Sequence, residues 1–173
     1  MKEAGFEFQI EKPDGDEAFP PSLPVDQVAK YLACQKAELF RPSLHDEVVV
    51  TADTVVILND TILNKPVDRN HAIHMLQSLS GKTHTVMTGV CIISKERETS
   101  FDETTKVTFK ALSLQEIEFY IDNYKPYDKA GSYGAQDWFG MVAIEKIEGS
   151  YFNVMGLPIH RVYQILHEQF DSL

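Results

Sequence analysis

Apolar and polar positions along this chain repeat with two periods, and each change of period marks an element. From Val48 to Leu58 the run VVVTADTVVIL is almost wholly apolar and β-branched. That composition predicts a long strand covered on both faces. Its one carboxylate, Asp53, falls on the face shared by Val49, Thr51, Val55 and Ile57. Asn59-Asp60 predicts a two-residue hairpin turn. The register that follows sets Leu58 opposite Thr61, Ile57 opposite Ile62, and Thr54 opposite Lys65, which stands immediately before Pro66. Asp68 reads as the N-cap of a helix with Ala72, Ile73, Leu76 and Leu79 inward, stopped at Ser80-Gly81. Two long strands follow, THTVMTGVCIIS and Thr99 to Leu112, joined by the charged turn KERE. In the second, Thr104, Lys106, Thr108 and Lys110 alternate with Thr105, Val107 and Phe109, so one face is wet.

The flanking segments read in the same way. KEAGF predicts the last turn of a helix closed by Gly5, and FEFQI a strand with Phe6, Phe8 and Ile10 on one face. Val25 to Phe40 predicts a helix buried through Val25, Val28, Leu32 and Leu39, with Lys36 on the same stripe. Ser113 and Glu116 form a capping box for a helix whose inner stripe is Ile117, Tyr120, Ile121 and Tyr124. A strand is expected from Met141 to Ile147. Pro158 opens a final helix anchored by Ile159, Val162, Tyr163, Leu166 and Phe170. The sum is an α/β fold, a mixed, strongly twisted, long β-sheet flanked by helices.

Composition narrows the class. With 173 residues, one domain over residues 1–173 is expected. Such a chain buries roughly two-thirds of its unfolded surface. Apolar content is 43%, and no apolar run approaches the roughly 18 residues of a spanning helix. The N-terminus carries no signal-peptide pattern. Only two cysteines are present, Cys34 and Cys91, each in an apolar setting. That argues against a disulfide framework or a zinc site and for a reduced, cytoplasmic protein. The net charge is −10 with no basic cluster, which excludes a general nucleic-acid binder. An anionic substrate would then need a divalent cation or a few placed lysines to offset the acidity.

Candidate chemistry gathers at a few positions. An ionised, unpaired carboxylate inside an apolar strand costs several kcal/mol, so Asp53 needs a partner or a task. Lys65 returns close to it. The pair reads equally as a structural salt bridge or as half of a site. Lys36 either snorkels to water at the edge of its helix face or aims its ammonium into a site. Asp14-Gly-Asp-Glu17 reads as a solvated acidic turn or as carboxylates offered to a metal or a base. The stretch YDKAGSYGAQDWFG contains Lys129, Tyr133, Gln136 and Trp138. It reads as a surface loop, or as a ligand cradle in which glycines admit close backbone approach and Gln136 reads a base edge with both a donor and an acceptor. His84, at a strand start, reads first as a structural histidine.

Taken together, ADTVV, LNKP and LSGKTHTVMTG, with DGDE, YLACQKA, DKAGSYGAQ and GSYFNVMGLP in the same order, resemble the Maf family, also called the septum-formation inhibitor family. The resemblance covers nearly the whole chain. It implies a nucleoside-triphosphate pyrophosphatase that uses a divalent cation, Mg2+ or Mn2+, in a house-cleaning role, and often a homodimer. It implies Asp53 as general base and Glu17 as an acidic residue of the site; Asp53 and Glu17 are together expected to act on the attacking water as catalytic residues and to hold the metal. Lys36 and Lys65 are implied as lysines of the triphosphate pocket, and Thr54 and Gln136 as positions for nucleobase choice. A threonine directly after the aspartate resembles the branch that prefers dTTP and UTP. One departure stands out: the family opens on S-x-S-P-R-R, and Met1 falls just after that motif. Truncation, a misassigned start and a degenerate copy are the three expectations. A catalytically impaired nucleotide-binding protein is the alternative function.

Overall fold

Among the described residues five strands, β1 (Val49–Leu58), β2 (Thr61–Leu63), β3 (Thr83–Ile93), β4 (Glu98–Phe109) and β5 (Ile144–Glu148), form one sheet in the order β2-β1-β3-β4-β5. This is a computed structural model, and it describes residues 1–12, 15 and 18–170. The helices are α1 (Val28–Phe40), α2 (Arg69–Leu79), α3 (Leu114–Tyr124), α4 (Trp138–Ala143), α5 (Tyr151–Val154) and α6 (Ile159–Phe170). None of the described helices is long and apolar enough to cross a membrane.

The sheet with helices on its faces is the α/β fold expected, but among the described residues every strand pairing is antiparallel rather than mixed. The reason lies in strand order. β2 and β3 do run in the same direction and are joined through α2, as in a parallel crossover. β1 lies between them, antiparallel to both, so the parallel contact never forms.

The β1–β2 hairpin has the expected register, Leu58 opposite Thr61 and Ile57 opposite Ile62. Asn59 (φ 48°) and Asp60 (φ 59°) are both left-handed, the geometry of a tight hairpin turn that these two side chains tolerate. The ladder then stops at Val56 opposite Leu63. Thr54 therefore has no cross-strand partner in β2, and Lys65 lies beyond the strand. The break at Pro66 removes the donor that a continued ladder would require.

The two sheet faces are covered differently. On one, Val56, Val86, Val107 and Phe109 pack against Leu76 and Leu79 of α2, Tyr120 of α3 and Phe139 of α4. Farther along that face, Val90, Ile92 and Phe101 receive Val162, Ile165 and Leu166 of α6. The opposite face belongs to α1, which buries Val28, Ala29, Leu32, Ala33 and Ala37. Leu39, assigned to that stripe from its spacing, is 47% exposed. The helix lies so close to the sheet that a Cβ on Gly89 would sit 2.2 Å from the Lys30 nitrogen and 2.3 Å from the Ala29 carbonyl carbon. Only short side chains fit at such a crossing, so the alanine row faces in.

Other expectations are met or shifted locally. Asp68 caps α2, its Oδ1 accepting from the His71 amide at 2.7 Å. Both halves of the Ser113–Glu116 capping box form at α3. Tyr124, placed on the inner stripe of α3, is exposed. The strand expected from Met141 begins only at Ile144, because α4 runs through Ala143. Gly5 closes a short 3-10 turn over Lys2–Ala4 with φ 88°. FEFQI is not a strand. Its alternation is real, but no described strand edge pairs with it, and Ile10 is 81% exposed.

Gly89→Ala is expected to lower stability by about 1–3 kcal/mol or more, because the new methyl meets helix backbone that cannot rotate aside. A urea unfolding midpoint measured beside the parent protein checks this.

Candidate functional site

Because β2 stops at Leu63, the stretch of β1 before Val56 has no strand partner on that edge among the described residues. A pocket of about 300 Å³ opens there. Side chains from both faces of β1 reach it, Asp53 from the α1 side and Thr54 from the other. This explains how residues of opposite pleat share one site.

Five of the six residues picked from sequence line this pocket: Lys36, Asp53, Thr54, Lys65 and Gln136. The sixth, Glu17, lies outside the described residues. Lys36 comes from α1, and its Nζ donates to Asp53 Oδ1 at 2.5 Å. The two side chains are 23% and 12% exposed, so this pair is shielded enough for each charge to need the other. Gly89 is the register partner of Asp53, so the same close helix crossing that demands glycine also delivers Lys36. Lys65 arrives from the segment after β2 and is exposed.

The segment after α3 forms the far wall. Gly131 (φ 68°) is in the left-handed region, and a Cβ there would sit 2.9 Å from Val56 Cγ2. The backbone thus lies directly on β1 and carries Asp128, Lys129, Tyr133 and Gln136 to the pocket. Gln136 is exposed and so available to a ligand. Lys129 donates to Asp128 Oδ1 at 3.1 Å. The Lys129 ammonium holds the Asp128 carboxyl below its usual range, with Lys65 adding to the effect. Lys129 and Asp128 were not picked from sequence as site residues. The signal was a lysine in an irregular, glycine-rich stretch.

A buried chain of hydrogen bonds fixes the remaining wall. Thr54 Oγ1 lies 2.8 Å from Thr88 Oγ1, and Thr88 donates to the Asn153 carbonyl at 3.0 Å. The single Thr88 proton is used there, so Thr54 must donate to Thr88 and turn its lone pairs to the pocket. The Asn153 amide donates to the Val86 carbonyl at 3.2 Å and to Thr105 Oγ1 at 3.0 Å. These bonds seat the turn whose Val154, Met155 and Gly156 line the site. Thr88 and Asn153 carry no linear signal beyond being polar in apolar company.

A larger groove of about 1360 Å³ adjoins the pocket and shares Lys36, Ala52 and Gly156 with it. Phe8, Ile10 and Leu39 line the groove together with Glu7 and Glu47. The smaller cavity, where Lys36, Lys65 and Lys129 converge, is the better seat for a polyanion.

His84 is structural, as expected from its place. Its Nε2 is 2.7 Å from the Tyr133 hydroxyl, and its ring packs edge-on against Phe109 with centroids 4.7 Å apart. Tyr133 in turn lines the pocket. His84 is 2% exposed, and burial holds its imidazole below the ordinary value, at about 4.

Compared with known proteins, the profile of a family described as Maf-like protein matches residues 1–169. A protein of Phocaeicola vulgatus named dTTP/UTP pyrophosphatase is 46% identical over 161 residues, covering 92% of this chain and 83% of its own length. The same name belongs to a Porphyromonas gingivalis protein, 47% identical, with 98% of this chain and 88% of that protein covered. It belongs also to one from Flavobacterium johnsoniae, 45% identical, with coverage of 96% and 86%.

The buried imidazole makes stability depend on pH. The unfolded chain accepts a proton near pH 6.5 that the folded state refuses until about pH 4. This contribution is therefore intact above about pH 6.5 and is lost as pH falls toward 4, with a slope approaching about 1.4 kcal/mol per pH unit. His84→Gln is expected to be less stable at pH 7 yet to lose less between pH 7 and pH 5. Urea unfolding at several pH values checks the difference in slope.

Proposed function

Since the chain belongs to the Maf-like family, we propose that it hydrolyses the nucleoside triphosphates dTTP and UTP to the monophosphate and pyrophosphate. The observation that carries this reading is the convergence of Asp53, Lys36, Lys65, Thr54 and Gln136 on one pocket in a chain of net charge −10. A general anion trap has no use for a shielded carboxylate. A site that must both hold a polyphosphate and activate water does.

The roles follow from chemistry. Asp53 orients and deprotonates the attacking water. Lys36 holds the Asp53 carboxylate in place by its hydrogen bond and, with Lys65 and Lys129, offsets charge on the phosphoryl oxygens. Thr54, whose proton is committed to Thr88, offers an acceptor to the N3–H of thymine or uracil. Gln136 offers its amide N–H to a base carbonyl.

A divalent cation fits the donors at hand. Among the described residues, the carboxylates lining the pocket are Asp53 and Asp128, and no thiol or imidazole lines it. Hard oxygen donors in such small number suit Mg2+ or Mn2+, which bind through one or two carboxylates and the substrate's own phosphates. Asp53 would hold the ion, joined by Glu17 if the family resemblance extends to that residue. When bound, the ion supplies Lewis-acid polarisation of a phosphoryl oxygen. The cytoplasmic setting rests on the two free thiols, and the homodimer on the resemblance alone.

Asp53→Asn is expected to reduce pyrophosphate release from dTTP or UTP by at least about 100-fold while melting cooperatively and still being stabilised by nucleotide. Near-normal turnover by this variant would remove Asp53 from its role. A parent protein that binds dTTP with Mg2+ or Mn2+ present yet releases no pyrophosphate would favour the non-catalytic, nucleotide-binding alternative. Gln136→Leu is expected to raise KM for dTTP and UTP more than it lowers kcat, measured by the same release assay.

A further inference from the structure

On the α1 face, away from the pocket, the fold brings together three side chains that lie far apart in sequence. Cys34 projects from α1, Cys91 from β3, and Glu98 from the start of β4. One ligand atom from each, two sulfurs and a carboxylate oxygen, lie within 4.8 Å of one another, and among the described residues no other group of three such side chains does so. The strand register explains the meeting. Cys91 pairs with Ser100 and Ile93 with Glu98, so Cys91 and Glu98 share the face that α1 covers. Thr51 closes the frame beneath them, its hydroxyl 2.8 Å from the Ala33 carbonyl and 3.3 Å from the Cys91 carbonyl.

The surroundings suit a cation bound at the margin of the core. Cys91 is buried, Cys34 half-buried and Glu98 exposed, so the cluster is walled on one side and open to water on the other. The two thiols are hydrogen-bonded to each other, which holds the Cys34 thiol below its usual value, at about 7, and, with burial, pushes the Cys91 thiol up, so a cation must displace the Cys91 proton to bind both sulfurs. Arg41 Nη2 reaches Glu98 Oε2 at 2.5 Å and so holds the carboxylate beside the cluster.

We propose that Cys34, Cys91 and Glu98 form a binding site for a thiophilic divalent cation, Zn2+ in the cell, with water as the fourth ligand. Two thiolates and one carboxylate in a compact triangle match the tetrahedral preference of Zn2+. Binding displaces the protons that the thiols still hold, up to two as the ion enters, and the three ligand charges leave the site at net −1. Arg41 lies against that charge and also competes for Glu98. The site ties α1 to β3 and β4 two residues before Lys36, and it is separate from the oxygen-lined pocket. The two cysteines gave no zinc pattern in sequence because their spacing is that of sheet topology, not of a local ligand loop.

Cobalt titration of the reduced, metal-free protein tests this. Co2+ is expected to bind once per chain with tetrahedral visible bands and a sulfur-to-cobalt band, both displaced by Zn2+. Cys34→Ala and Cys91→Ala are each expected to abolish the bands. Glu98→Gln is expected to weaken Co2+ roughly tenfold or more. Zn2+ is expected to raise the melting temperature of the parent protein and not that of Cys34→Ala, which loses only a half-buried sulfur and serves should Cys91→Ala fail to fold. Absence of the bands, their survival in Cys34→Ala, or a thiol pair that only oxidises to a disulfide and takes up no Co2+ would overturn the proposal.

Discussion

Everything at the pocket depends on how closely α1 crosses the sheet. Gly89 leaves room for helix backbone where any side chain would stand, and the alanines at 29, 33 and 37 keep the rest of the contact short. Gly89 is also the register partner of Asp53. The crossing that removes a side chain from β3 therefore sets Lys36 over the carboxylate next to it. Neither charge would be tolerated there alone, since a shielded ion without its partner costs several kcal/mol. Packing and electrostatics meet at one contact, and neither explains the arrangement without the other.

The second constraint is a strand that ends early. Three residue pairs suffice to make β2, after which Pro66 prevents the ladder from continuing. The edge of β1 beyond β2, which has no strand partner among the described residues, is an opportunity for a ligand, because both faces of the strand can be reached from it. Such an edge elsewhere in a protein invites pairing with another chain. Here the segment carrying Lys129, Tyr133 and Gln136 and the turn at Val154 to Gly156 wall it in. Those walls are held by buried bonds, Thr88 to Asn153 and Tyr133 to His84, rather than by sheet hydrogen bonding.

Charge is distributed to the same end. The chain is acidic overall, yet Lys36, Lys65 and Lys129 face one small cavity. Asp53 pairs with Lys36 and Asp128 with Lys129, so these two lysines carry a counter-charge when no nucleotide is bound. A polyphosphate entering with a divalent ion would exchange these internal pairs for its own, keeping the local charge near balance throughout.

By itself the sequence determined the elements that local rules govern. The hairpin at Asn59-Asp60, the Asp68 cap, the Ser113 capping box and the long β-branched strand around Asp53 were all legible, because each depends on neighbours within a few residues. The family motifs also marked Asp53, Lys36, Lys65, Thr54 and Gln136, and all five line one pocket. The inward face of α1 is legible at Val28 and Leu32 but not at Leu39, since leucine outranks alanine in any apolar pattern and only the distance to Gly89 decides which of them fits. FEFQI was read as a strand because alternation reports a face and not a partner. The antiparallel sheet, the Thr54–Thr88–Asn153 chain and the meeting of Cys34, Cys91 and Glu98 were set by strand order alone. Contacts between residues dozens of positions apart leave no periodicity in the chain, and only the tertiary structure could decide them.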